Sequence, residues 1–216
     1  MPLRKLTWCL LLAFAGHSAF ATSEPRCAPP PGFVQEAPPA VEPEKLVSHV
    51  EEITIDRPLA AVMVGEHQSA IEKTLRKTNG LPGVAGTYML AGTWGRPGAR
   101  RITCLTDGGH TQEQVLVNDR QANVHHFRYE VWHYTTPKAR PVAYAVGDFM
   151  ETDLGDGRTR IRWTYSFRLR PDVFPGDLGA LGRLIFRRFY LDRRYAQFMR
   201  GALTVRKAIA EQTGRN

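Results

Sequence analysis

Arg158–Leu169 reads RTRIRWTYSFRL, and Val124–Tyr134 reads VHHFRYEVWHY. In the first run Ile161, Trp163, Tyr165, Phe167 and Leu169 alternate with Arg160, Arg162, Thr164, Ser166 and Arg168. A period of two with large apolar residues on one phase is a strand with one buried and one wet face. In the second run His125, Phe127, Tyr129, Val131 and His133 share one face, and His126, Arg128, Glu130 and Trp132 share the other. Two strands of this kind put a thick aromatic wall on one face of a sheet. A chain this size needs something to cover that wall.

Working outward, the cover is at the C-terminus. Leu191, Tyr195, Phe198, Ala202, Val205 and Ile209 recur at steps of four and three, a core-facing helical stripe. It predicts a final helix of about 35 residues, ending near Thr213. Toward the N-terminus, His49–Ile55 predicts a first strand and Leu59–Thr78 one or two short helices. Val84–Gly92, Arg100–Thr106, Thr111–Asp119 and Pro141–Thr152 complete the strands, with Gly-containing turns at Asp107–His110 and Gly155–Gly157. Strand, helices, six strands and a long helix leave no room for repeated βαβ units. The sheet is therefore expected to be mostly antiparallel, in an α+β fold.

The segments before the first strand read differently. Arg4 and Lys5 precede an apolar run, Leu6–Gly16, followed by Ala19-Phe20-Ala21. A basic start, a short apolar stretch and an A-x-A site describe a secretory signal peptide over residues 1–21, cleaved after Ala21. The run is short for a membrane span, so a retained anchor is the alternative. Residues 25–43 contain seven prolines, which reads as a disordered tether over residues 22–44 ahead of a domain spanning 45–213. Export places the mature chain in the periplasm or beyond. Loss of Arg4 and Lys5 takes the formal charge from +8 to +6, still basic. Basic surfaces favour anionic partners. An exported chain favours an anionic membrane surface over nucleic acid, and no nucleic-acid role is expected. Cys27 and Cys104 survive cleavage, and an oxidising compartment invites a bridge. Their placement in a tether and in a strand leaves both the bridged and the free state open.

The local text from Gly98 to Gly109 (GARRITCLTDGG), then Glu113-Gln114-Val115-Leu116, resembles a hairpin of the SRPBCC (START/Bet v 1-like) superfamily. The likeness is to its polyketide cyclase/dehydrase and lipid-transport branch. It continues through Phe127-Arg128-Tyr129-Glu130-Val131, Pro141-Val142-Ala143-Tyr144 and Asp156–Trp163. The resemblance implies a helix-grip fold: a curved antiparallel sheet of about seven strands around a long C-terminal helix, with a hydrophobic cavity between them. It does not select one function, because a fold hosts many.

The residues expected to line that cavity are Phe127, Tyr129, Trp163, Tyr165, Leu191 and Phe198. If Gly108-Gly109 is a two-residue turn, Ile102 opposes Val115 and Cys104 opposes Glu113. Ile102, Cys104, Val115 and Val117 would then make an inner face with Glu113 among them. A buried carboxylate is costly unless paired. Glu113 is thus either a structural ion-pair partner or, with His125, a general acid–base candidate for a cyclase or dehydratase. His133 joins His125 as a cavity or rim candidate. Roughly 26 Å of strand separates the two histidines, too far to share a metal. Glu151, Asp153 and Asp156 read as solvated turn residues. G-x-S-x-G, H-E-x-x-H, C-x-x-C and G-x-G-x-x-G are absent. Gly176, Gly179 and Gly182, spaced by three, point to close helix–sheet contact or a hinge at the cavity mouth. The expectation is a monomeric binding domain for a hydrophobic or amphipathic, lipid-like molecule, with no metal and no cofactor; the alternatives are a cyclase or dehydratase, and a membrane-associated envelope factor whose basic helix, with Arg187, Arg188, Arg193 and Arg194, faces anionic lipid.

Overall fold

The computed structural model describes residues 27–68, 71–78 and 80–212. The leader read over residues 1–21, with its cleavage site, lies outside them, as do Asn79 and Thr213. In chain order the elements are β1 (Leu46–Ile55), α1 (Leu59–Gln68), α2 (Ile71–Thr74), β2 (Val84–Ala91), β3 (Arg100–Leu105), β4 (His110–Arg120), β5 (Val124–Trp132), β6 (Val142–Asp153) and β7 (Thr159–Leu169). The C-terminal helix follows as α3 (Gly179–Phe186), a π-helical segment Arg187–Tyr195, and α4 (Ala196–Gln212). The seven strands form one sheet in the order β1-β7-β6-β5-β4-β3-β2, and every pairing is antiparallel. This is the helix-grip architecture: a curved sheet closed over a long terminal helix.

Alternation decides the two faces. Trp163 pairs with Phe149, Phe149 with Phe127, and Tyr165 pairs with Gly147 and Gly147 with Tyr129. Paired residues share a face, so these side chains stand together on the inner side. Gly147 is required there. A Cβ at this position would lie 2.4 Å from the Tyr129 ring. The helix meets this layer through Phe186, Leu191, Tyr195, Phe198, Met199 and Leu203. Polar clasps fix it to β1: His49 contacts Asp192 at 2.8 Å, Arg200 donates to Glu51 at 2.6 Å, and Lys207 donates to the Thr54 carbonyl at 2.8 Å.

The helix stripe drifts from its sequence reading. Phe186, Leu191 and Ala196 are buried at steps of five, the spacing of i→i+5 hydrogen bonding in the π segment. By α4 the buried line has moved one residue on, to Met199, Leu203, Arg206 and Ala210. Val205 and Ile209 are only half-buried.

The proline-rich segment is not a free tether. From residue 27 it crosses the outer face of the sheet at one end. Cys27 is disulfide-bonded to Cys104 of β3. The Gln112 side chain of β4 accepts from the Glu36 N–H and donates to the Val34 carbonyl, both at 3.2 Å. Glu36 pairs with His133 at 2.8 Å. Val41 packs on Trp132, Tyr144 and Val146. The Glu42 N–H donates to the Tyr144 hydroxyl at 2.8 Å, and Arg168 donates to the Glu42 carboxylate at 3.0 Å. Prolines removed donors that a strand would need, while side chains at Gln112, Tyr144 and Arg168 supplied the partners instead. Outer-face residues of β5 and β6 are therefore buried, which alternation alone cannot reveal.

Candidate functional site

Strand register builds the site. β3 and β4 pair Cys104 with His110, Ile102 with Gln112 and Arg101 with Glu113. The turn is longer than the two residues Gly108-Gly109, so the expected pairings of Ile102 with Val115 and Cys104 with Glu113 do not form. The register differs by three residues, and an odd shift changes which side chains of the two strands share a face. Ile102 and Cys104 point outward, and Cys104 is the anchor of the disulfide. Glu113 and Val115 do face inward, opposite Val131 and Tyr129. A bulge between Val115 and Val117 then turns Val117 out, opposite Arg128, and Asn118 in, opposite Phe127.

Glu113 is buried and bound by Arg101, whose Nε donates to its carboxylate at 2.6 Å. The Arg101 guanidinium lies 3.4 Å from the centroid of Trp94. Such a site satisfies a buried charge pair with an ion contact and an aromatic face. Two positions along β3, Thr103 shares this inner face, and its buried hydroxyl has no hydrogen-bond partner. The Tyr134 hydroxyl is also buried, beside that of Tyr165. Burial pushes Tyr134 well above the usual tyrosine range, with Tyr195 and Glu113 adding to the shift. Burial does the same to Tyr165 and Tyr195.

The six residues expected to line a cavity all lie on this inner layer. Tyr129, Trp163, Tyr165, Leu191 and Phe198 belong to one buried cluster, and Phe127 packs against it. Their rings interlock: Phe149 on Trp163 at 4.9 Å, Tyr165 on Tyr195 at 4.9 Å, and Tyr195 on Phe198 at 5.6 Å between centroids. The wall is thus aromatic along its length and polar at one end, where Arg101, Thr103, Glu113 and Tyr134 gather.

His125 is at the other end. Val131, opposite Glu113, and His125 are six residues apart on β5, roughly 20 Å. The two groups expected to act as an acid–base pair therefore do not meet. His125 belongs to a buried network that the sequence reading missed. Its Nδ1 lies 3.2 Å from Glu151, and its Nε2 lies 2.8 Å from the Asn118 carbonyl oxygen. Arg206 of α4 donates to the other Glu151 oxygen. Burial alone would raise the Glu151 carboxyl, but Arg206 and His125 hold it below the usual range. Glu151 is fully buried and not a solvated turn residue. The signal was available in Arg206, whose spacing continues the helix stripe after the π segment. His133 also departs from its expected place. Its φ of 55° takes it into the left-handed region, and its ring stacks on His110 at 5.6 Å on the strap side. Among the described residues no group of three or more potential ligands is placed to hold a metal ion.

Of the three glycines spaced by three, Gly176 and Gly182 sit against backbone. A Cβ would lie 2.1 Å from the Arg170 carbonyl oxygen and 1.7 Å from that of Pro175, respectively. Close packing at the start of α3 is the consequence.

No family model matches the chain, and no curated protein matches its sequence. Solved structures do match. Ara h 8.0201 superimposes with a TM-score of 0.55 at 15% identity, over 77% of this chain and 99% of that one. The di-domain ARO/CYC StfQ of the steffimycin biosynthetic pathway gives 0.54 at 16% identity, over 79% of this chain and 52% of that one. This chain thus spans about half of StfQ. A Thalictrum norcoclaurine synthase point mutant in complex with a transition-state analogue gives 0.51 at 12% identity, over 78% and 97%. These structures share the fold of this chain, a curved sheet closed over a long C-terminal helix.

Proposed function

We propose that the chain holds a hydrophobic or amphipathic small molecule between the inner face of the sheet and the C-terminal helix. The observation that carries this reading is an aromatic wall ending in buried polar groups, among them a Thr103 hydroxyl without a partner. A buried unpaired hydroxyl costs on the order of 1–3 kcal/mol, and a ligand oxygen would recover that. The Tyr134 hydroxyl, beside that of Tyr165, lies buried at the same end. A ligand's polar end would sit against Tyr134, Thr103 and the Arg101–Glu113 pair. Its apolar body would run along Tyr129, Tyr165 and Trp163, where burial supplies the affinity. The Arg101 contact engages the Glu113 carboxylate, which favours an orienting role over proton exchange.

Titration with 8-anilinonaphthalene-1-sulfonate, read by quenching of tryptophan fluorescence, tests the site. Wild type should bind, and Tyr134→Phe should weaken binding of probes with an oxygen acceptor about tenfold. Wholly apolar probes should bind both proteins alike. Equal affinity of both proteins for every probe, or no binding by either, would contradict the assignment.

We also propose that the chain is exported. The Cys27–Cys104 bridge supports this, since disulfides persist in oxidising compartments. The ligand is then a molecule of the cell envelope.

A further inference from the structure

We infer that the face of α3 turned away from the sheet docks on an anionic lipid bilayer. α3 buries Gly182 and Phe186 on one side. At 100° per residue, Leu181 and Leu184 stand on the opposite side. They are joined by Phe174 and Leu178 before the helix and Phe189 after it, and the five are 44% to 63% exposed. Five large apolar side chains in a stretch of chain this short make a patch that a lone soluble domain rarely leaves bare.

The charges around the patch specify the occupant. The same stretch of chain carries Arg183, Arg187, Arg188, Arg193 and Arg194, against Asp177 and Asp192. Asp192 is already engaged, by His49 at 2.8 Å and Arg187 at 3.5 Å. Arg188 follows Leu184 by four residues and Leu181 by seven, on the exposed side. Arg183 and Arg187 line an open groove of about 420 Å³ with Leu184 and the start of β1. Leucine and phenylalanine tips reach the boundary between headgroups and acyl chains, and guanidinium groups pair with phosphates above it. Arg187 has Asp192, but a neutral apolar partner would leave Arg183, Arg188, Arg193 and Arg194 without counter-charge. No helix among the described residues is long and apolar enough to cross a membrane, so the contact is peripheral. The inference stands on the exposed face alone and does not depend on whether a ligand occupies the interior.

Co-sedimentation of the full chain with vesicles tests it. Vesicles of phosphatidylcholine with about one third phosphatidylglycerol should bind the protein, and pure phosphatidylcholine vesicles should bind it at least about tenfold more weakly. Raising salt from about 0.05 to about 0.5 M should release most of it. The double variant Leu181→Glu/Leu184→Glu should lose binding at least about tenfold while keeping its melting temperature and its dye binding. Arg187→Gln/Arg188→Gln should bind anionic vesicles more weakly and become less salt-sensitive. Equal sedimentation with both lipids, or binding unaffected by the leucine changes, would overturn the inference. So would a concentration-dependent dimer that the leucine changes abolish, because the face would then be a contact between copies.

Discussion

Three buried groups carry most of the chemistry at the scale of single residues. Tyr134 presents a buried hydroxyl whose neighbour is that of Tyr165. Its replacement by Phe should change stability by no more than about 1 kcal/mol, since the desolvated group and its contact with Tyr165 are removed together. Denaturant unfolding would check this. Glu151 is the opposite case, held between Arg206 and His125. Arg206→Leu strands a buried carboxylate and should cost roughly 3–5 kcal/mol. The pair also sets a pH dependence. The folded carboxyl titrates below its unfolded value of 4.5, so its contribution is present above that pH and lost as pH falls through the folded pKa. Glu130 works in the other direction. It is buried on the outer face with one oxygen unpartnered. Burial raises its carboxyl to about 7, against the pull of Arg100 and Arg128. The folded state therefore holds a proton that the unfolded state releases, and stability should fall as pH rises from about 4.5 to 7. Glu130→Gln should remove that slope and leave the protein more stable than wild type at pH 8. Melting curves across pH for the variant and the wild type measure it.

At the scale of elements, the strap over residues 27–45 and the C-terminal helix decide how the sheet is closed. The Cys27–Cys104 bridge joins positions 77 residues apart. Cys27→Ser/Cys104→Ser should lower stability by roughly 2–4 kcal/mol, through the longer reach of the unfolded chain. It should also increase protease cleavage within residues 28–45, which limited proteolysis would map. The strands and the helix were legible because their periods are long and unbroken, as at Ile161–Leu169. The six inner-layer residues were legible for the same reason. The hairpin register was not. It depended on whether Gly108-Gly109 made a two-residue turn, and a different turn rotated Ile102 and Cys104 to the outside. The strap was hidden by its composition. Seven prolines in residues 25–43 argue for extended chain, and they say nothing of what that chain lies against. The π segment was equally silent, and only the steps of five from Phe186 to Leu191 to Ala196 betray it.

At the scale of the whole molecule, an aromatic interior with a polar end sits behind a basic, leucine-tipped helix start. A lipid-like molecule drawn from a membrane would meet both features in turn. If the chain is exported as proposed, N-terminal sequencing of protein recovered from fractionated cells should read from Thr22, and Met1 on a cytosolic protein would contradict that. The central claim is that a small molecule is held between sheet and helix. Native mass spectrometry of protein purified without detergent, followed by solvent extraction, tests it most directly. The account predicts one small apolar or amphipathic molecule per chain, released on unfolding and taken up less well by Tyr134→Phe. A chain that always flies bare, and takes up no molecule from an extract of envelope lipids, would contradict it.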